Sequence, residues 1–149
     1  MAHLLDTSVL TRLANVADAL YGIADRAVVE LHRRGEALNI TPQVLVEFRN
    51  VATRPASLNG LGLSIAEAEA LAAGFEATFT LLPDIPSIHP AWKAIVGALG
   101  VIGKQVHDAR LAAVCHVHKV DHVLTFNVSH FSRMAGFGPG LIVVDPASV

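Results

Sequence analysis

Residues 3–10 read HLLDTSVL, and this stretch determines how the rest of the sequence is interpreted. The first residues form a short apolar strand that stops at Asp6, and Thr7 and Ser8 follow as candidate caps for a helix. A strand that leads directly into a helix is typical of the start of a β-α-β unit. The same alternation continues to the end of the chain, which predicts an α/β fold with a parallel sheet.

Five short apolar segments are predicted to be strands, at residues 3–5, 38–40, 79–82, 122–126 and 141–144. Helical patterns separate them: after Ser8, from Asp25 to Arg34 with Gly35 as its stop, from Pro42 behind a Thr41 cap, from 65 to 78 behind a Ser64–Glu67 capping box, from Pro90 to about Gly100, and from Asp108 to Lys119. Residues 136–140 are rich in glycine and are predicted to be a loop. We therefore expect one domain over residues 1–149, with a central parallel sheet of about five strands flanked by helices.

The composition supports a single folded domain and hints at a protein partner. The chain has 149 residues, of which 52% are hydrophobic and only 16% charged, whereas about 25% charged residues is usual. Intrinsic disorder is excluded, because it requires low hydrophobicity and a high net charge. The mean hydropathy of +0.49 predicts that some apolar surface is covered by another chain, and we expect a homodimer.

Charge and cysteine content exclude several other classes of protein. The net charge of −2 does not fit a module that binds nucleic acid through its overall positive charge. Cys115 is the only cysteine, so no internal disulfide framework exists. The longest apolar run, residues 94–103, is much shorter than the roughly 20 residues that a membrane span requires. With no signal-peptide pattern at the start, we expect a cytoplasmic protein.

Four polar residues stand at the ends of predicted strands or on predicted helices, where they could carry chemistry. Asp6 follows the first strand, Asn127 follows the fourth, Glu47 interrupts an apolar helix, and Asp108 begins another helix. Taken singly, Asp6 and Asp108 could be helix caps and Asn127 a turn residue. The carboxyl ends of parallel strands share one edge of the sheet, however, so these side chains are expected to converge there.

Several carboxylates at one point repel each other, and burying them without a partner costs free energy. A divalent cation removes this cost, and Mg²⁺ prefers oxygen ligands and takes its remaining contacts from water and phosphate. An acidic cluster on a slightly acidic protein would then bind nucleic acid through metal. Local cations would assist, and those near the candidate acids in the sequence are Lys104, Arg110, Arg49 and Arg133.

Four short segments in the same order resemble the successive motifs of the PIN domain family. They are residues 4–10 (LLDTSVL), 46–48 (VEF), 107–113 (HDARLAA) and 124–131 (LTFNVSHF), and the resemblance extends from about His3 to Pro146. Each motif is short, but four of them in order are specific. The size and architecture are similar to the VapC branch of the family, the toxins of VapBC toxin–antitoxin pairs.

This resemblance implies an endoribonuclease toxin that depends on Mg²⁺ or Mn²⁺. It implies a VapB-like antitoxin and a homodimer as partners and RNA as the substrate. The metal-site carboxylates map onto Asp6, Glu47 and Asp108. Asn127 is expected to assist catalysis or to position water. Thr7 and Ser8 are expected to orient Asp6 or contact the substrate, and Arg110 to contact the substrate. The family often has aspartate in the fourth motif, whereas Asn127 and His130 stand there in this sequence, so the number of ions stays open.

Other functions remain compatible with the same residues. A non-catalytic PIN-like module for RNA binding or protein interaction is the main alternative, and a DNA nuclease of the wider superfamily is another. A haloacid-dehalogenase-like phosphatase would need a second aspartate two residues after Asp6, where Ser8 stands. A zinc site of Cys115, His118 and His122 would require the helix to continue into the predicted fourth strand.

Overall fold

The computed structural model describes residues 1–137 and 140–149 and contains a five-stranded sheet in which every neighbouring pair is parallel. The strand order is β3-β2-β1-β4-β5. The strands are β1 (Ala2–Leu5), β2 (Ala37–Ile40), β3 (Thr80–Leu81), β4 (His122–Leu124) and β5 (Ile142–Val144).

Helices connect these strands. In the described residues they are α1 (Thr7–Leu13), α2 (Tyr21–Arg33), α3 (Pro42–Thr53), α4 (Ile65–Thr78), α5 (Ile88–Leu99), α6 (Gln105–His118) and α7 (Val128–Ser132), with 3-10 turns at Ala56–Leu58 and Pro146–Ser148. The predicted α/β architecture with a parallel sheet of about five strands is therefore confirmed.

The first strand lies at the centre of the sheet. β1 pairs with β2 on one side and with β4 on the other, and its Leu4 and Leu5 are completely buried. Phe48 of α3 and Phe131 of α7 are also completely buried. Apolar burial on both faces is usual for parallel sheets, because the crossover helices cover them. The carboxyl end of β1 is consequently the midpoint of one sheet edge, and Asp6 stands there.

Local sequence signals located several helix ends correctly. Thr41 caps α3 by accepting a hydrogen bond from the Val44 amide at 3.1 Å, with proline at the first turn. Ser64 and Glu67 form the predicted capping box of α4. Gly35 follows α2 with a φ of +73°, a left-handed conformation that glycine adopts without a steric penalty.

Other helix boundaries differ from the predictions. Asp6 caps α1 by accepting from the Ser8 amide, so neither Thr7 nor Ser8 is the cap. α2 begins at Tyr21 and α5 at Ile88, before the predicted starts, and neither has a side-chain cap. α6 begins at Gln105, which leaves Asp108 in the first turn of the helix instead of at its cap. Tertiary packing extends these helices beyond the local start signals.

Two further expectations concern the end of the chain. α7 follows Asn127 directly and was not predicted, because five residues carry too little periodicity to be recognised. Gly138 and Pro139 of the predicted loop lie outside the described residues.

The helix does not continue as the zinc site of Cys115, His118 and His122 would require. α6 ends at His118, and Lys119 is left-handed with a φ of +57°, so His122 belongs to β4. In the described ranges no helix has the length and apolar character to cross a membrane.

Two buried histidines stack at the amino ends of β1 and β4. The rings of His3 and His122 are 4.6 Å apart between centroids, and only 3% and 7% of the two residues is exposed. The Glu36 carboxylate lies 3.8 Å from His3 Nδ1, and the Asp121 carboxylate lies 3.0 Å from His122 Nδ1. Burial lowers the pKa of His3, and His122 and the Met1 amine lower it further, while Glu36 and Asp121 act in the opposite direction.

We predict that this histidine makes the fold less stable in acid. Unfolded histidine titrates near 6.5, whereas folded His3 takes up its proton at a lower pH. Between these two pH values the unfolded state binds more protons than the folded state. The stability contributed by neutral His3 is therefore fully present above about pH 6.5 and is lost as the pH falls. His3→Leu should therefore flatten the dependence of Tm on pH between 7 and 5. The limit is one proton, or about 1.4 kcal/mol per pH unit.

Thermal melts of the two proteins at pH 7, 6 and 5 measure this difference. His89→Leu, at an exposed position on α5, is the matched control and should leave the slope unchanged. Parallel pH profiles for wild type and His3→Leu would contradict the prediction.

Candidate active site

One carboxylate oxygen of Asp6 accepts hydrogen bonds that hold neighbouring elements of the fold together. Its Oδ2 accepts hydrogen bonds from the Ser8 hydroxyl at 2.6 Å, the Thr125 hydroxyl at 2.8 Å and the Ser8 amide at 3.3 Å. The Asp6 amide donates to the Leu124 carbonyl at 3.0 Å, which continues the pairing of β1 with β4. Asp6 is 4% exposed. Oδ1 makes no hydrogen bond to the described residues and is therefore the oxygen that a ligand could use.

The same two hydroxyls also hold the backbone that follows β4. Ser8 Oγ accepts from the Phe126 amide at 3.1 Å, and Thr125 Oγ1 accepts from the Asn127 amide at 2.9 Å. Asn127 is exposed, and its side chain does not cap α7. The structure thus joins the first and fourth sequence motifs through hydroxyl bridges. Ser8 is buried and orients Asp6, so it does not face solvent as a substrate contact would.

Glu47 is held at both of its carboxylate oxygens. Oε2 accepts from the Thr7 hydroxyl at 2.7 Å, and Oε1 accepts from the Gln43 amide at 2.8 Å. Thr7 begins α1 directly after Asp6, whereas Gln43 lies one turn before Glu47 on α3. The half-buried carboxylate therefore has a fixed orientation, although its neighbours in the sequence, Val46 and Phe48, are apolar.

Asp108 interacts electrostatically with Asp6 and Glu47, the other two predicted acidic residues. Burial raises the pKa of Asp108 to about 6, the carboxylates of Asp6 and Glu47 raise it as well, and His130 and His107 offset part of the increase. His130 Nδ1 lies 3.4 Å from Asp108 Oδ2. Among Asp6, Glu47 and Asp108 the structure therefore concentrates negative charge that the neighbouring histidines only partly balance.

The chemistry of these donors fits a hard divalent cation. In the described residues no three Asp, Glu, His or Cys side chains stand close enough to enclose an ion as they are. Mg²⁺ does not require such a cage, because it binds through one or two carboxylates and keeps several waters. Asp6 Oδ1, which accepts no hydrogen bond from the described residues, and the Asp108 carboxylate are oxygen ligands of this kind.

Arg110 lies beside this cluster but is bound elsewhere. Its guanidinium donates to Gln43 Oε1 at 3.1 Å and to Asp84 Oδ1 at 3.0 Å, and the side chain is 34% exposed. Two other cations near the motifs in sequence have their own partners: Arg49 pairs with Glu69, and Arg133 donates to the Gln105 side chain and the Leu99 carbonyl.

Sequence reasoning missed Gln43 and Thr125 as members of the site. Thr125 stands within the fourth motif, directly after β4, so its position at the sheet edge was a usable signal. Gln43 precedes Glu47 by four residues and shares its helix face, but its contact with the His107 carbonyl at 2.9 Å has no local signal. Both residues orient carboxylates that the sequence did identify.

Comparison with protein families gives one clear match. The family model for the PIN domain matches residues 3–136. Since this range is most of the chain, the protein belongs to the PIN domain family. A comparison with curated proteins found no significant match.

Several solved toxin–antitoxin structures share the fold. VapBC2 from Rickettsia felis, bound to a promoter DNA fragment, matches with a TM-score of 0.72 at 16% identity, covering 97% of this chain and 98% of that one. DNA-bound VapBC from Salmonella typhimurium matches with a TM-score of 0.70 at 18% identity, covering 98% of both chains. The Mycobacterium tuberculosis toxin VapC20, which cleaves the sarcin-ricin loop, matches with a TM-score of 0.65 at 22% identity, covering 91% of this chain and 96% of that one. Likeness at these identities establishes the fold alone.

Asp108→Asn is predicted to stabilise the protein when divalent ions are absent. Unfolded aspartate titrates near 3.9, whereas burial and the nearby carboxylates raise the pKa of folded Asp108 to about 6. The folded state binds more protons between these values, so stability falls as the pH rises through them. At pH 7.5 the variant should gain about 1 kcal/mol, allowing for solvent screening, or about 2–4 °C in Tm.

The gain should shrink to a small remainder near pH 4, where the Asp108 carboxyl is protonated in the folded state and about half protonated in the unfolded state. Melts in EDTA at the two pH values measure it, and Asp25→Asn on α2 controls for the loss of a charge. A destabilised Asp108→Asn protein at pH 7.5 would mean that its carboxylate is not crowded by negative charge.

Proposed function

We propose that the protein is a metal-dependent endoribonuclease of the VapC type, the toxin of a toxin–antitoxin pair. The observation that carries this proposal is the set of hydrogen bonds that brings the three acidic positions together. Thr7, next to Asp6, donates to Glu47, and Gln43, on the helix of Glu47, donates to the carbonyl of His107, next to Asp108. Burial and the charges of Asp6 and Glu47 also raise the pKa of Asp108. Membership of the PIN domain family supports a nuclease. The fold shared with VapBC structures and with the RNA-cleaving VapC20 supports a toxin that acts on RNA.

Asp6, Glu47 and Asp108 would hold Mg²⁺, for which Mn²⁺ could substitute. When bound, such an ion would supply Lewis-acid chemistry, activating water and polarising a phosphodiester of the substrate. Ser8 and Thr125 keep Asp6 Oδ2 occupied, so that Oδ1 stays available.

The remaining residues act on these carboxylates or on the substrate. Thr7 fixes Glu47, and the backbone at Asn127 is held beside the site, where its amide side chain could position water. Arg110, partly exposed next to the acidic cluster, is the candidate for contact with an RNA phosphate.

A homodimer and a VapB-like antitoxin are the proposed protein partners. The exposed surface of α4 is apolar over much of its length, with Ala66, Ala70, Ala73 and Ala77 along one side and Ile65 84% exposed at its start. Small residues let a second helix approach closely, so we propose this surface for the dimer contact. The antitoxin is proposed because solved relatives in fold are VapBC complexes.

The decisive substitution is Asp6→Asn. The amide oxygen of asparagine still accepts the hydrogen bonds from Ser8 and Thr125, so the fold should persist, while the negative charge is lost. RNA cleavage should fall by more than about 100-fold, and saturable Mn²⁺ binding should weaken with it. Mapping of new RNA 5′ ends and calorimetric titration with Mn²⁺ measure the two effects.

Asp121→Asn at the opposite end of the sheet is the matched control and should retain both properties. Unchanged cleavage by Asp6→Asn would remove Asp6 from the metal site. Mn²⁺ binding by wild type with no cleavage of any RNA would favour the non-catalytic PIN-like module.

The dimer proposal is tested by light scattering at tens of micromolar. Wild type should have twice the mass of the chain, and Ala70→Glu should be a monomer, because it buries a charge in the contact. Val29→Glu, at an exposed position on α2, should remain dimeric. A monomeric wild type without partner would contradict the proposal.

A further inference from the structure

Gln43 connects three parts of the candidate site that are far apart in sequence. Its Nε2 donates to Glu47 Oε1 at 2.8 Å and to the His107 carbonyl at 2.9 Å, and its Oε1 accepts from Arg110 NH1 at 3.1 Å. A glutamine at the surface can form its hydrogen bonds with water, whereas Gln43 forms three with the protein. The amide therefore joins α3 to the first turn of α6, where Asp108 is located.

The orientation of this amide is determined by its partners. Glu47 Oε1 and the His107 carbonyl can only accept hydrogen bonds, and the Arg110 guanidinium can only donate them. Exchanging the nitrogen and oxygen of Gln43 would place oxygen against two acceptors and an NH₂ group against a cation. Only one of the two amide orientations is therefore satisfied.

The amide also separates two opposite charges. Arg110 contacts the oxygen of the Gln43 amide, and Glu47 contacts its nitrogen. Within the described residues Arg110 forms its ion pair with Asp84, at 3.0 Å. Arginine and carboxylate groups form strong bidentate pairs when nothing stands between them. Such a pair at Glu47 would neutralise a carboxylate that the candidate metal site needs.

We propose that Gln43 is a positioning residue that keeps the Arg110 guanidinium from pairing with Glu47, so that Glu47 remains available to a divalent cation. This inference rests on the proposed metal-dependent function of the same site. In it Gln43 acts through Glu47 and touches neither the ion nor the substrate. Its neutral amide satisfies the carboxylate oxygen that Thr7 does not bind, without cancelling the negative charge.

A purely structural role is the competing explanation. Glutamine four residues before glutamate on a helix stabilises that helix slightly, and the bond to the His107 carbonyl ties α3 to α6. Loss of such a tie would lower stability and would loosen the site whether or not Arg110 is present. The two explanations therefore differ in how Gln43 and Arg110 depend on each other.

The test is a double-mutant cycle with Gln43→Leu and Arg110→Met, each read out by calorimetric titration with Mn²⁺. Leucine at 43 removes the amide that binds Arg110 NH1, which leaves this nitrogen able to turn toward Glu47 while NH2 stays paired with Asp84, so the Kd for Mn²⁺ should rise about 10-fold or more. Arg110→Met alone should leave the Kd equal to that of wild type or lower, because it removes a nearby positive charge. In the double variant the Kd should return to within about 3-fold of the Arg110→Met value.

Two results would overturn the positioning role. One is an unchanged Kd in Gln43→Leu. The other is the same fold-loss of Mn²⁺ affinity in the presence and absence of Arg110, which the structural explanation expects. Thermal melts in EDTA check that all variants fold, and Gln43→Met, which keeps the unbranched shape, replaces leucine if that variant does not.

Failure of the proposed function has a different signature. If wild type binds no Mn²⁺, or if Asp6→Asn binds Mn²⁺ as well as wild type does, the proposed metal site is wrong. The proposed role of Gln43 is then wrong too. If wild type binds Mn²⁺ through Asp6 but the cycle is additive, only the role of Gln43 is wrong.

Discussion

A single carboxylate oxygen, Asp6 Oδ2, ties the central strand to the elements around it. It caps α1 through the Ser8 amide, and through the hydroxyls of Ser8 and Thr125 it fixes the backbone that leaves β4. A buried carboxylate is tolerated only when hydrogen bonds replace its lost hydration. These hydrogen bonds all end on Oδ2, so Asp6 Oδ1 accepts none from the described residues.

The acidic residues Asp6, Glu47 and Asp108 concentrate negative charge at one edge of the sheet. Parallel strands bring their carboxyl ends to one edge, so residues that follow β1 and β4 meet there, and α3 and α6 add Glu47 and Asp108. Neutral donors, the hydroxyls and the Gln43 amide, orient the carboxylates without cancelling their charge. Charge that is oriented but not neutralised is what a divalent ion requires from a protein.

Much of the fold could be predicted, because its signals are local. The capping box at Ser64, the Thr41-Pro42 start of α3 and the glycine after α2 each depend on a few adjacent residues. The strands were recognised from short apolar runs, although β3 and β4 proved shorter than predicted. α7 was missed since one helical turn has no measurable periodicity.

The sequence by itself determined the α/β class, the order of the elements and the four motif positions that include Asp6, Glu47 and Asp108. Strand order follows from tertiary packing, and it is the placement of β1 between β2 and β4 that brings Thr125 to Asp6 and stacks His3 on His122. The bonds from Gln43 to the His107 carbonyl and to Arg110 span more than sixty residues. Contacts of this kind have no local signal, because they depend on which surfaces meet when the core is packed and not on the propensity of any segment.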